Sequence, residues 1–236
     1  MGLAKKVRRV AGNVDTIRAV LGKLRGWFAH LAVLGVVALV VAGCAGKHMA
    51  TSLAAPAKPK PSVGALRGLV PTPLPTTPHF TLEDTAGRPF DFASRARNKL
   101  TYLYFGYTHC PDVCPLTMAD IAIALRNVRP NVRRRIQVVF VTVDPRRDTA
   151  PVLRAWLDRY NRSFIGLTGN EHAVRAAALA AGVPLPPPPK NKTGSYGVDH
   201  GAFVLPYSPD GQAHVVYAEG FSPADYAHDM PLLLTL

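Results

Sequence analysis

The chain has 236 residues, of which 48% are hydrophobic, and it carries a formal net charge of +13. So basic a chain suggests a nucleic-acid-binding protein. However, residues 1–44 carry +6 and residues 45–78 carry +4, which leaves only +3 for residues 79–236. Because the charge belongs mainly to the N-terminal segments, nucleic acid is excluded as the expected partner.

The first 44 residues predict a signal and anchor segment. Seven Lys and Arg residues precede the apolar run "WFAHLAVLGVVALVVAGC", which ends at Cys44. A basic region followed by an apolar one is typical of a secretory signal. The last four residues, "VAGC", resemble the lipobox of bacterial lipoproteins, in which the cysteine is lipidated and becomes the mature N-terminus. We therefore expect Cys44 to be lipidated.

A single transmembrane helix is the alternative anchor. Residues 27–43 are about as long as the shortest spanning helices, although His30 interrupts the apolar run. Both anchors would tether the rest of the chain to the extracytoplasmic face of a bacterial cell membrane.

Residues 45–78 have the composition of a linker. They include seven prolines and no aromatic residue. Such a segment cannot bury enough apolar surface to fold, so we expect a Pro-rich, disordered and extended spacer. Residues 79–236 are long enough for one domain with a normal core.

Short apolar runs in residues 79–236 predict strands. An N-terminal β-hairpin is expected around Gly87. The runs at 100–106 and 136–144 are rich in β-branched and aromatic residues, as in strands that are buried on both faces of a parallel sheet. Further along the chain, "GAFVLP" and "HVVYAEG" flank "YSPDGQ", which predicts a second hairpin with an Asp-Gly turn.

Helical patterns alternate with these strands. Helices are predicted at 116–128, 151–160 and 171–181, and a short strand is expected before the third of them. Asn170 is a plausible N-cap for the third helix, and Ser222-Pro223 a plausible start for a fourth. Parallel βαβ units followed by an antiparallel hairpin and a closing helix predict an α/β domain with a thioredoxin-like sheet and flanking helices.

The segment "FGYTHCPDVCPLTM" follows the first parallel strand. Sites in such folds lie beyond the carboxyl ends of the parallel strands, and this is where Cys110 and Cys114 occur. Because a proline follows each cysteine, both thiols are expected on a loop, with the helix beginning at Pro115. A helix N-terminus favours the thiolate, which is both the nucleophile and the metal ligand.

The spacing of the two cysteines favours a metal site over a redox pair. Thioredoxin-type reductants place two residues between their cysteines, whereas this chain has three. A disulfide requires sulfurs about 2.05 Å apart, but two thiolates at about 2.3 Å from one metal ion can be roughly 4.6 Å apart. Soft thiolates select Cu(I), zinc or iron–sulfur centres. A redox pair stays open as the alternative, while a purely structural disulfide would stabilise little because its loop is short.

A copper site with two thiolates needs a third protein ligand. His200 lies in "YGVDHGAF", at the loop that faces the cysteine-bearing helix in a thioredoxin-like fold. His109 adjoins Cys110, but neighbouring side chains usually diverge. His200 is therefore the predicted ligand and His109 the alternative.

The motifs "YFGYTHCPDVCP", "VTVDPRRDT", "FIGLTG" and "YGVDHGAFVL" together resemble the Sco/SenC family of copper chaperones, over about residues 80–221. The resemblance implies a membrane-tethered protein that binds copper, as Cu(I) or Cu(II), through Cys110, Cys114 and His200. It also implies a role in assembling the binuclear copper A centre of cytochrome c oxidase. The expected partners are the copper-accepting subunit of that oxidase and other copper chaperones or thiol reductants.

Three aspartates are candidates for supporting or docking roles. Asp144 ends a predicted strand beside the site and is placed to orient a ligand; a turn into Pro145 is the alternative. Asp199 adjoins His200, so it is a candidate for holding that ligand or for contacting a partner. Asp112 lies between the cysteines and is expected at the surface, where partner proteins touch it.

Two functional classes follow from these residues. In the first, the protein is a metallochaperone that passes copper to its acceptor by ligand exchange. In the second, it is a thiol–disulfide oxidoreductase that reduces the acceptor's cysteines, and Cys110 and Cys114 are then its redox-active pair. The distant imidazole of His200 favours the first class, because thiol exchange does not require it.

Overall fold

A mixed sheet of six strands forms the centre of the described part of the chain. The computed structural model describes residues 65–183, 185 and 201–236. The strands are β1 (Thr81–Asp84), β2 (Pro89–Asp91), β3 (Leu100–Gly106), β4 (Ile136–Thr142), β5 (Ile165–Thr168) and β6 (Val204–Tyr207). Their order is β2-β1-β5-β4-β3-β6. The β3, β4 and β5 strands are parallel, and the other pairings are antiparallel.

Helices cover both faces of this sheet. They are α1 (Phe92–Ala96), α2 (Val113–Asn127), α3 (Pro130–Arg133), α4 (Ala150–Asp158), α5 (Glu171–Ala180) and α6 (Pro223–Leu233). Residues of α2, α4 and α6 form one core with the sheet, and residues of α1 and α5 form the other. The β3 strand has Tyr102 and Tyr104 in the first core and Leu103 and Phe105 in the second. This explains why the strand is a continuous apolar run.

The local signals for turns and helix ends are confirmed. Gly87 adopts a φ of 73°, the left-handed conformation that favours glycine, in the hairpin of β1 and β2. The side chain of Asn170 accepts a hydrogen bond from Ala173 N at 2.8 Å and caps α5. At the start of α6, Ser222 and Asp225 form the reciprocal bonds of a capping box.

The second predicted hairpin is present, but its returning strand is not continuous. After β6 the chain turns at Gly211, where φ is 84°. Ala213 and Tyr217 then make isolated bridges to β6, while Val216 pairs with Leu69 instead. The returning segment therefore pairs with β6 on one side and with the N-terminal stretch on the other, through isolated bridges.

That N-terminal stretch, residues 65–78, packs on the domain. Gly68 N donates a hydrogen bond to the buried carboxylate of Asp229 at 3.0 Å, and Thr77 N donates to Gly211 O at 2.8 Å. This part of the predicted linker is therefore bonded to the domain that follows it. Composition indicated that the stretch builds no core of its own, but it did not reveal these backbone bonds to distant residues.

The anchor segment lies outside the described residues, as do residues 45–64 of the predicted linker. Within residues 65–183, 185 and 201–236, no helix combines the length and hydropathy that crossing a bilayer requires.

Candidate metal centre

Cys110 and Cys114 lie where β3 leads into α2. The helix begins at Val113, whose N–H donates to the side chain of its N-cap residue Asp112 at 2.6 Å. The prediction that both thiols lie on a loop is therefore wrong for Cys114, which is in the first helical turn. A proline next to it is tolerated because first-turn N–H groups have no intrahelical acceptor. Asp112 is exposed, as expected, and it also caps the helix that carries Cys114.

The two thiols differ in their surroundings. Cys114 is fully buried, whereas Cys110 is partly exposed. Cys114 N donates to Cys110 Sγ at 3.5 Å, and Tyr104 Oη donates to Cys114 Sγ at 3.6 Å. A Cβ at Gly106 would lie 2.9 Å from Cys114 Sγ, so the strand must end in glycine for this thiol to pack.

Burial dominates the acidity of Cys114. It raises the pKa of this thiol to about 12, although hydrogen bonds from the Tyr107 backbone and the Tyr104 hydroxyl act in the opposite direction. The expectation that the helix N-terminus leaves Cys114 as a thiolate is thus not met in the metal-free protein. A cation bound at the sulfur would offset the cost of desolvation, so metal binding here is coupled to proton release.

We expect iodoacetamide to alkylate Cys110 more than about tenfold faster than Cys114 at neutral pH, because the thiolate is the reactive form and access is required. Peptide-resolved mass spectrometry of the reduced, metal-free protein measures both rates. In the urea-unfolded chain the two rates should converge. Equal rates in the folded protein would contradict the assigned burial.

Asp148 holds the turn that precedes Cys110. Its carboxylate is fully buried and accepts hydrogen bonds from Thr108 N at 2.8 Å, Thr108 Oγ1 at 2.5 Å and Thr142 Oγ1 at 2.7 Å. One side chain therefore ties this turn to the end of β4. Sequence analysis did not identify Asp148 as a residue of the site. Its place just beyond the carboxyl end of a buried strand is the signal that could have identified it.

Asp144 supports the same turn by a second route. Its buried carboxylate pairs with Arg147, and the Arg147 guanidinium lies 5.8 Å from the centre of the Tyr107 ring. The backbone carbonyl of Asp144 also accepts hydrogen bonds from Arg147 N at 3.2 Å and Asp148 N at 3.0 Å. A turn therefore follows Asp144, while its role in orienting a metal ligand stays a prediction.

Of the two histidines that were considered as ligands, the structure describes only His109. His109 is half-exposed, and its Nδ1 lies 3.0 Å from Thr108 Oγ1 and 3.4 Å from Asp148 Oδ1. His200 and Asp199 lie outside the described residues. In the part of the chain that is described, no three His, Cys, Asp or Glu side chains form a metal-binding group. Cys110 and Cys114 are thus two thiols at one helix end, and their role as copper ligands stays a prediction, as does that of His200.

The chain is similar to known proteins over most of this domain. A family model described as SCO1/SenC matches residues 71–235. Protein SCO1, mitochondrial, of Saccharomyces cerevisiae is 34% identical over 134 residues, which cover 56% of this chain and 45% of that protein. The chain spans about half the length of several curated relatives that it matches.

Solved structures show the same fold. Apo Sco1 from Thermus thermophilus is 33% identical, with a TM-score of 0.59, over 72% of this chain and 94% of that one. ScoI of Bradyrhizobium japonicum with copper bound is 28% identical, with a TM-score of 0.59, over 66% of this chain and 98% of that one. These likenesses confirm the thioredoxin-like arrangement that was predicted from the order of strands and helices.

Proposed function

The chain belongs to the SCO1/SenC family, and on that premise we propose that it is a membrane-tethered, extracytoplasmic copper chaperone. It binds copper through Cys110, Cys114 and His200, and it assists assembly of the copper A centre of cytochrome c oxidase. The observation that carries the proposal is the pair of thiols at the start of α2, in a chain similar to a Sco protein solved with copper bound. Its partners are the copper-accepting oxidase subunit and other copper chaperones or thiol reductants.

The unequal exposure of the two thiols suits a protein that gives its metal away. Thiolates are soft ligands that select Cu(I). Buried Cys114 holds the ion in a site of low dielectric constant, whereas Cys110 is partly exposed. An incoming ligand can therefore reach the copper from the Cys110 side, and exchange begins there.

Metal analysis and absorption spectroscopy test this function. The purified full chain, exposed separately to Cu(I) and Cu(II), should retain one copper per chain and should show thiolate-to-copper absorption with Cu(II). The control is protein whose two thiols have been alkylated, which should retain none. Equal copper retention by the alkylated protein would refute the proposed site.

A thiol–disulfide oxidoreductase is the second candidate, favoured by the contact between Cys114 N and Cys110 Sγ at 3.5 Å. An accessible thiol beside a buried one suits an attacking and a resolving cysteine. In this alternative the protein reduces the acceptor's cysteines before copper loads, and its own pair becomes a disulfide.

Copper should protect the two thiols from oxidation, because the same sulfurs serve both reactions. We expect copper-loaded protein to lose thiols to a mild oxidant such as diamide at least about tenfold more slowly than copper-free protein. Thiol titration over time measures the rates. Identical loss in both samples would mean that copper binds elsewhere.

We also expect Cys44 to carry the lipid and residues 1–43 to be absent from the mature protein, because the apolar run closes with a lipobox-like "VAGC". Mass spectrometry of the membrane-extracted protein measures the N-terminus. The Cys44→Ser variant should lack the lipid. An intact N-terminus at Met1 in the parent protein would support a transmembrane helix instead.

A further inference from the structure

A cleft of about 300 Å³ opens beside the cysteine pair. One wall is a single face of α2, formed by Val113, Leu116, Thr117 and Asp120, whose spacing is i, i+3, i+4 and i+7. The other wall consists of residues 218–222 together with Tyr226. Because Val113 directly precedes Cys114, the cleft starts at the helix end that carries this thiol and runs along the helix away from it.

The end of the cleft near the thiols is apolar. Leu116 has 60% of its surface exposed, although it lies only two residues after Cys114. Val113 lines the cleft beside it, and Phe221 stands on the opposite wall. A single exposed leucine is common on protein surfaces. Leu116, however, lines a concave site together with Val113 and Phe221, and such a site can accept an apolar side chain.

Two carboxylates line the cleft. Asp120, at the end of the helical wall away from Val113, and Glu219, on the opposite wall, both belong to it, and neither forms an ion pair with a residue that the structure describes. Asp120 is partly buried, and this burial raises the pKa of its carboxyl group. A cationic side chain placed between the two carboxylates would offset that cost, so the cleft is complementary to a basic residue.

The length of the cleft limits what it can hold. From Leu116 to Asp120 the helix rises about 6 Å, at about 1.5 Å per residue. An extended peptide covers that distance in about two residues. The matching ligand is therefore an extended segment with an apolar side chain at one end and a lysine or arginine about two residues away.

We propose that this cleft receives the cysteine-bearing segment of the copper acceptor, with its apolar residue on Leu116 and its basic residue between Asp120 and Glu219. The inference rests on the proposed function, since it assigns a docking surface to the same copper site. A segment bound in this way brings an acceptor thiol close to the exposed side of Cys110.

The first step of transfer from that position is a ligand exchange without electron transfer, and Cys114 and His200 are exchanged for acceptor ligands in the same way afterwards. The acceptor thiol releases its proton to water as its sulfur binds the copper, and the bond between copper and Cys110 Sγ breaks. The released Cys110 thiolate takes up a proton, and the copper keeps its oxidation state.

The test measures the rate of copper transfer from the copper-loaded full chain to the purified copper-accepting domain of the oxidase subunit. Glu219→Lys should lower the second-order rate at least about tenfold at low salt, because charges at the rim of an interface act on association. The effect should shrink as the ionic strength rises from about 0.01 M to about 0.5 M. The matched control is Glu83→Lys, which makes the same charge change at an exposed residue of β1 and should alter the rate less than about twofold.

Leu116→Ser tests the apolar end. It should slow transfer at every salt concentration while leaving the copper affinity of the chain unchanged. If Glu219→Lys and Glu83→Lys have equal effects and Leu116→Ser has none, the docking site is wrong although the chaperone function stands.

Binding of the copper-free acceptor domain, followed through the amide resonances of residues 113, 114, 116–120 and 218–222, separates the remaining cases. Shifts confined to these residues without any copper transfer would support the cleft and overturn the chaperone function. Shifts elsewhere would overturn the cleft. Loss of a self-associated form in Leu116→Ser, with acceptor binding intact, would identify a second copy of this chain as the occupant and would also overturn it.

Discussion

Replacing Cys110 or Cys114 with alanine is expected to abolish copper retention, and replacing His200 is expected to weaken it by about 10–100-fold or more. Loss of even an outer-shell partner typically costs a metal site about 10–100-fold in affinity, and a direct ligand should cost at least as much. Two thiolates alone leave a soft cation under-coordinated. Competition with a chromophoric Cu(I) chelator measures the affinity of each variant.

His109→Ala is the control for a histidine that is merely near the site. Its ring contacts Thr108 and Asp148, and its removal should change copper affinity little. His200→Ala should still form the Cys110–Cys114 disulfide under mild oxidation, whereas either cysteine variant cannot. If His200→Ala retains parental affinity and parental thiolate-to-copper absorption, the third ligand is His109 or water, and the oxidoreductase alternative gains support.

Asp148→Ala should lower the free energy of unfolding by about 3–5 kcal/mol, because three donors that it satisfies are left without an acceptor. Each buried unsatisfied donor costs about 1–3 kcal/mol, and water entering the vacated space recovers part of that cost. The same change releases the turn before Cys110, so copper affinity should fall as well. Urea titration of the reduced, copper-free protein and the chelator competition measure the two effects.

Two variants separate a general loss of stability from an effect on the turn. Asp148→Asn keeps an acceptor for Thr108 N and should be less damaging than alanine. Asp229→Ala removes an equally buried carboxylate, one that binds Gly68 N and the Tyr217 hydroxyl instead. This variant should lose stability yet keep its copper affinity. An equal loss of copper affinity in Asp148→Ala and Asp229→Ala would show that Asp148 has no special influence on the site.

The order of elements was predictable because its signals are local. The run at 100–106 contains apolar residues throughout, and β3 is indeed covered on both faces. Asn170 and Ser222 are the N-cap residues of their helices, so a few residues of local sequence are enough to predict where each helix begins. The packing of residues 65–78 had no such signal, since its partners are residues 211–229, near the other end of the chain.

The candidate site was predictable in position but not in detail. The rule that sites follow the carboxyl ends of parallel strands located Cys110 and Cys114 correctly. The role of Asp148 depends on Thr108, which is 40 positions away, and no local pattern reports such a contact. Burial among core residues raises the pKa of the Cys114 thiol. This effect outweighs the influence of the helix N-terminus, which is the only one of the two that the sequence reveals.

The bonds between the N-terminal stretch and Asp229 also bear on the order of events during synthesis. Arg67 N and Gly68 N bind a carboxylate that is 162 and 161 positions further along the chain. A ribosome makes the donors first, and they can find no native acceptor until almost the whole domain has been translated. The loop between them cannot close before Asp229 has been made, although its length adds only slowly to the entropy of closure. We therefore expect Arg67 and Gly68, although they are synthesised early, to be among the last residues to dock, and their docking completes the domain.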